Sequence, residues 1–416
     1  MPSKLLDIPA RTIRLENEKP KFTGRSLVLL NNSVKPVTVT NQAKRASLRL
    51  ASSLDYAKSA SPDILEEALS EADGIVFDKI RVAVLNEGKV EEIDNRRSDK
   101  SIARTFLNSE PERYVYAIQA RGKKKQQIGF ADNKAASWGM HAINVLSSRF
   151  TGKGIPVAVL DTGIDTAHPD LQSRIKRKRT FISGQQVMDL NGHGTHCAGL
   201  VAGFQHVAKK FRYGTAPGVQ LYIAKVLSNQ GVGTDGSILA GIDWALENKC
   251  RIISMSLGGE AEPGEAYSAV YESVAKEALA SNCLIIAAAG NESERSNGLI
   301  APVGHPANCP SIMAVGALDQ QLAIADFSCG GLNPDGGQVD IAAPGVNIWS
   351  TWKNKGYRRE SGTSMAAPIV AGLAALLTES DPRASAASTW MQLIQQARRL
   401  DLPATDTGAG LAYCRK

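Results

Sequence analysis

The sequence predicts an α/β domain with a mainly parallel sheet flanked by helices, preceded by a small ferredoxin-like α+β module. Three observations carry that prediction. From Trp138 onward, continuous apolar runs alternate with longer helical stretches, the pattern of parallel strands covered on both faces. Upstream, residues 26–119 read as strand, helix, strands, helix, strand, the order of a split βαβ sandwich. Between the two, residues 120–135 are basic, aperiodic and glycine-containing, as an exposed and nickable linker would be. The chain divides accordingly into a flexible arm (1–25), the small module (26–119), the basic linker (120–135) and the large domain (136–416).

Taken in order, residues 25–31 (R-S-L-V-L-L-N) predict a strand, followed by a polar loop. Residues 62–72 (P-D-I-L-E-E-A-L-S-E-A) predict an amphipathic helix with proline at its start. Residues 75–85 are strand-rich with a break near Asp78, residues 98–109 a helix capped by Ser98 or Asp99, and residues 113–119 a last strand. No titratable cluster falls in this module, so it is expected to bind or to assist folding. In the large domain, residues 155–160 (I-P-V-A-V-L) form a buried strand that ends on Asp161-Thr162-Gly163. Further strands are expected at 221–226, 252–257, 284–289 and 312–317, and helices at 193–202, 237–248 and 266–280. Residues 361–372 (S-G-T-S-M-A-A-P-I-V-A-G) open a buried helix with Pro368 near its first turn. In such sheets function gathers at the carboxyl ends of strands, where Asp161, residues 256–259 and Gly290-Asn291 fall.

The formal charge of +7 is concentrated in residues 123–125 and 176–179. Neither run is interleaved with aromatics, so a solvated surface is expected rather than a nucleic-acid site. No stretch reaches the roughly 20 apolar residues of a membrane span. The N-terminus shows no apolar secretory core, which points to a cytoplasmic protein, with export by an unusual route left open. Six cysteines (197, 250, 283, 309, 329 and 414) lack zinc spacing and read as reduced thiols. A disulfide among Cys283, Cys309 and Cys329 stays open.

Serine attack on a carbonyl needs a base, a group that orients the base, and donors for the developing oxyanion. The candidates are Asp161 in V-L-D-T-G-I-D, His193 in N-G-H-G-T-H-C-A-G, Asn291 in A-A-A-G-N and Ser364 in G-T-S-M-A-A-P. Singly, each has a plainer reading. Asp161 and Asn291 suit turns, Ser364 suits a helix N-cap, and His193 with His196 suits a metal pair, although no third ligand is evident. No metal site is therefore expected. Jointly, four such residues at strand and helix ends point to acyl transfer.

These motifs, with S-M-S-L-G-G at 254–259 and D-I-A-A-P-G at 340–345, make residues 138–411 resemble the subtilisin-like serine proteases, the subtilase family. The resemblance implies that Ser364 is the nucleophile, His193 the general base and Asp161 the group that fixes its tautomer. Asn291 and the Ser364 N–H would stabilise the oxyanion. Gly231 and Gly233 on one side, and Ser256, Leu257, Gly258 and Gly259 on the other, would pair with an extended polypeptide substrate. Ala288, Gly290 and Gly304 would line a primary pocket with room for a large side chain. The resemblance also implies a self-inhibited zymogen. Its propeptide would be the small module, with the tail after Tyr116 in the cleft and cleavage between Ile118 and Phe130. No cofactor is expected for the chemistry. Relatives often hold calcium through an acidic residue, matched here by Asp170, plus a loop after the histidine helix. That loop (204–214) carries Lys209, Lys210 and Arg212 and no Asn or Asp, which opposes a cation. Cys197 is expected to be a buried free thiol, and Asp235, where many relatives place an aromatic, to favour small or basic groups at an outer subsite. Two alternatives share the fold: a peptide ligase or macrocyclase that passes the acyl group to an amine, and a binding pseudoenzyme held closed by its own module.

Overall fold

The computed structural model describes residues 20–55, 64–117, 129–205 and 211–415. Residues 1–19 of the expected arm, and residues 118–128, where processing is expected, lie outside them. The large domain is built on seven strands in the order Ile341–Pro344, Met313–Leu318, Leu284–Ala288, Ile252–Met255, Pro156–Asp161, Gln220–Lys225 and Ile175–Thr180. All six neighbouring pairs are parallel.

Side chains alternate across the sheet and feed two apolar layers. Val157 and Val159 join the layer under the histidine helix (His193–Ala202) and the serine helix (Thr363–Ser380). Ala158 and Leu160 join the layer under Asp235–Glu247 and Ala269–Ala280. The serine helix is long and apolar enough by composition to cross a membrane, but 83% of that stretch is buried inside the protein. Small residues (Ala, Gly, Ser and Thr) fill most of its buried positions, so neighbouring strands approach it closely.

Several expectations need correction. Ile175–Thr180 is a strand although it reads I-K-R-K-R-T; it lies at the sheet edge, where lysine and arginine reach water. Residues expected as a polar loop form the helix Pro36–Arg45, which buries only Val39, Gln42 and Ala43 and therefore shows little apolar signal. Pro368 lies well inside the serine helix and not in its first turn.

Among the described residues the N-terminal module has five strands in the order Leu50–Ser52, Gly74–Phe77, Val82–Leu85, Phe22–Leu30 and Phe106–Ala117. Its first strand starts within the stretch expected as an arm, because Phe22 pairs with Arg113. Its last helix stops at Thr105, and the strand that follows, the tail strand, runs for 12 residues. The later part of the expected linker is held by the large domain. Phe130 N donates to Gln320 O at 2.8 Å, its ring packs against the core, and Asp132 accepts from Trp138 N at 2.7 Å.

Candidate active site

Asp161 ends its strand and His193 begins its helix, and both are buried. His193 Nδ1 lies 2.7 Å from Asp161 Oδ1, so the imidazole donates there and presents Nε2 as its free acceptor. That Nε2 is buried and has no protein partner. Burial alone would push the imidazole pKa down; the Asp161 carboxylate outweighs it and holds the net shift well above the ordinary value. Gly192, just before His193, has φ +109°, and a Cβ there would collide with the Trp352 ring.

The histidine helix is anchored by Asp189, which sequence reasoning missed. Its carboxylate accepts from Gly192 N (2.8 Å), Thr195 N (2.8 Å), Thr195 Oγ1 (2.7 Å) and Thr162 Oγ1 (2.9 Å). It thereby satisfies first-turn amides that have no helical acceptor, and it ties them to the residue after Asp161. An Asp four residues ahead of a helix-starting His was the available signal. His196 is not a metal partner for His193. Its Nε2 contacts the carbonyls of Ile348 (3.1 Å) and Arg358 (3.2 Å), and burial pushes its pKa down to about 3. Asp161, His193 and Cys197 stand close enough to share a cation. They do not fit one, because a hydrogen bond already joins Asp161 and His193, and burial pushes the Cys197 thiol up to about 11.

Ser364 occupies the first turn of its helix. Pro368 has no N–H to give to the carbonyl four residues earlier, which is that of Ser364. That carbonyl is taken instead by Ser256 Oγ (2.9 Å) and Cys197 Sγ (3.5 Å). In return Ser364 Oγ donates to Ser256 O at 3.2 Å and not to His193. Cys197 is thus a buried thiol, and all six cysteines are free. Asn291 Oδ1 accepts from Thr363 N and Thr363 Oγ1, both at 2.9 Å, which fixes the amide orientation. Its Nδ2 is left buried without an acceptor, and Thr363, which its oxygen holds, is the residue before Ser364.

Of the remaining predicted residues, Val232–Thr234 and Leu257–Gly258 form two rims, and the tail strand lies antiparallel between them. Ala117 N donates to Gly231 O at 2.8 Å. Ala288 ends its strand, and Gly304 N donates to Ala289 O at 2.9 Å. A Cβ on Gly290 would strike Glu292 Oε2 and Cys329 Sγ. Glu292, also missed, accepts from Asn291 N (2.6 Å) and Cys329 Sγ (3.1 Å), and burial raises its pKa.

Asp170 does not fit calcium. Its Oδ2 accepts from Tyr213 (2.7 Å) and Tyr357 (2.8 Å), two phenols where a cation would stand; residues 206–210 of the loop expected to oppose a cation lie outside the described residues.

Residues 152–411 match the model of the subtilase family. Subtilisin DY of Bacillus licheniformis is 37% identical over 273 residues, covering 65% of this chain and 91% of its own. Subtilisin of Bacillus pumilus is 38% identical over 269 residues (64% and 90%). Subtilisin E of Bacillus subtilis is 33% identical over 355 residues (84% and 82%), a span too long for the large domain, so it enters the N-terminal module. These relatives are secreted enzymes, which overturns the expectation of a cytoplasmic protein. That expectation leaned on the N-terminus showing no apolar secretory core, and six buried, unpaired thiols do not report a compartment either. Subtilisins act on polypeptides and need no cofactor for their chemistry. On motif order, sheet architecture and relatives together, this chain belongs to the subtilase family and is a serine endopeptidase.

Proposed function

We propose that Asp161, His193 and Ser364 form the catalytic triad of this endopeptidase, and that the N-terminal module is its inhibitory propeptide. The hydroxyl of Ser364 leaves Ser256 O, gives its proton to His193 Nε2 and attacks the carbonyl. Asp161 holds the imidazole in the acceptor tautomer and stabilises the imidazolium. The unpartnered Asn291 Nδ2 and the first-turn N–H of Ser364 receive the oxyanion. His193 then protonates the leaving amine, and water attacks the acyl-enzyme by the same path. Gly231, Gly233 and residues 256–259 act as the substrate rims, and Ala288, Gly290 and Gly304 as walls of the primary pocket.

The observation that carries the propeptide reading is the tail strand seated between both rims, as an extended substrate would be. The module is docked by carboxylates on helix starts. Buried Glu112 accepts from Gly236 N at 2.7 Å, and Glu110 accepts from Ser268 Oγ, the N-cap of Ala269–Ala280. Asp170 is assigned no calcium.

Intact-mass and N-terminal analysis of the wild type beside Ser364→Ala tests both parts. The expected outcome is wild type cut within residues 118–129 and the variant uncut and inactive. Hydrolysis surviving in the variant overturns the nucleophile. A variant cut like the wild type overturns self-processing.

A further inference from the structure

The tail strand's main-chain pairing with the first rim ends at Tyr114 opposite Thr234. Thr234 caps the helix Asp235–Glu247, so no extended backbone remains beyond it to receive the next N–H. That N–H belongs to Arg113, and it goes to Asp235 Oδ2 at 2.7 Å. Asp235 is fully buried, and its other oxygen, Oδ1, lies 2.9 Å from His305 Nε2. His305 is itself fixed to the opposite rim. Its N donates to Gly259 O at 2.9 Å, its O accepts from Gly259 N at 2.8 Å, and its ring stands edge-on to Tyr271 at 4.7 Å. The carboxylate also heads a helix, where the dipole favours its charge. The two rims are therefore joined by a carboxylate–imidazole pair, and one oxygen of that pair faces the passing chain.

The Arg113 guanidinium does not use this carboxylate; it reaches Glu265 Oε1 at 3.4 Å. Asp235 contacts main chain, in contrast to the side-chain subsite expected from the sequence.

We propose that Asp235, oriented by His305, is a substrate-binding residue that recognises the main-chain N–H four positions before that of Ala117. It favours polypeptides that extend at least that far, and it rejects proline there, which has no N–H to give. This rests on the tail strand marking the path of substrate.

The test is competition with casein hydrolysis by the wild-type enzyme. One competitor is a synthetic peptide of residues 112–119; the other is its ester analogue, in which oxygen replaces only the Arg113 N–H. The amide is expected to bind on the order of tenfold more tightly, the worth of a hydrogen bond to a charged acceptor. The ratio is expected to collapse to about one in Asp235→Ala and to shrink in His305→Ala. Equal inhibition by amide and ester in the wild type overturns the role of Asp235 while leaving the path of substrate intact. Failure of both peptides to compete overturns the substrate-path reading itself. Because the ratio is first read on the wild type, a variant that fails to fold does not protect the proposal.

Discussion

The catalytic centre and the docking surface of the N-terminal module use the same chemical groups in opposite ways. At the centre, polar atoms are buried and left unmatched: His193 Nε2 and Asn291 Nδ2 have no protein partner. At the docking surface the carboxylates are consumed, although Arg113 Nε and Nη1 and His305 Nδ1 stay unpartnered there. Both oxygens of Glu112 are taken, by Gly236 N, Thr23 Oγ1 and Arg25 Nε, and both oxygens of Asp235 are taken as well. An unmatched buried donor is costly in the resting protein and becomes useful when charge develops beside it. A matched one holds a surface together and does no chemistry. This contrast separates a site suited to chemistry from a contact that holds two parts of the chain together.

The largest effect is expected of Asp161→Asn, which keeps the shape and removes the charge. A loss of about 10⁴ in kcat is expected, read with a short peptide substrate. The same variant tests the pH dependence. The base must be neutral, and its pKa is held above 6.5, so kcat/KM falls on the acid side of a midpoint above that value. In Asp161→Asn burial acts without the compensating charge, and the midpoint moves to lower pH. The sign for stability is opposite: the raised pKa stabilises the fold below the unfolded value, and that contribution is lost as pH rises through the folded one.

Next in size, Asn291→Ala is expected to lower kcat by about 10²–10³ with little change in KM, a magnitude taken from removal of the corresponding donor in a subtilisin. Glu112→Ala, made in the uncut Ser364→Ala chain, removes a charged cap from the helix Asp235–Glu247. It is expected to cost about 1.5–3 kcal/mol, read as a lower denaturant midpoint. The smallest effect expected is that of a calcium chelator: the melting temperature of the intact chain stays where it was, because tyrosines already satisfy Asp170.

The residues that the fold brings together at the centre were legible in the sequence because each sits in a dense local motif. The groups that position them were not. Asp189 and the Ser256 hydroxyl act through partners far away in the chain or through main-chain atoms, which leave no periodic mark. The strand Ile175–Thr180 and the helix Pro36–Arg45 hid for a related reason. One lies at a charged sheet edge and the other buries three residues, so neither carries the apolar rhythm that reveals an element.

The exchange between Ser256 and Ser364 sets a ruler. The carbonyl of Ser256 holds the serine hydroxyl, and its hydroxyl holds the serine carbonyl that Pro368 releases. The next two residues, Leu257 and Gly258, pair with the extended chain in the cleft. With the rim and the nucleophile as proposed, a polypeptide that zips onto that rim is counted off against the attacking oxygen. On the proposed assignment, the number of peptide units between the pairing and a bond sets whether that bond reaches the serine, before its side chains are read.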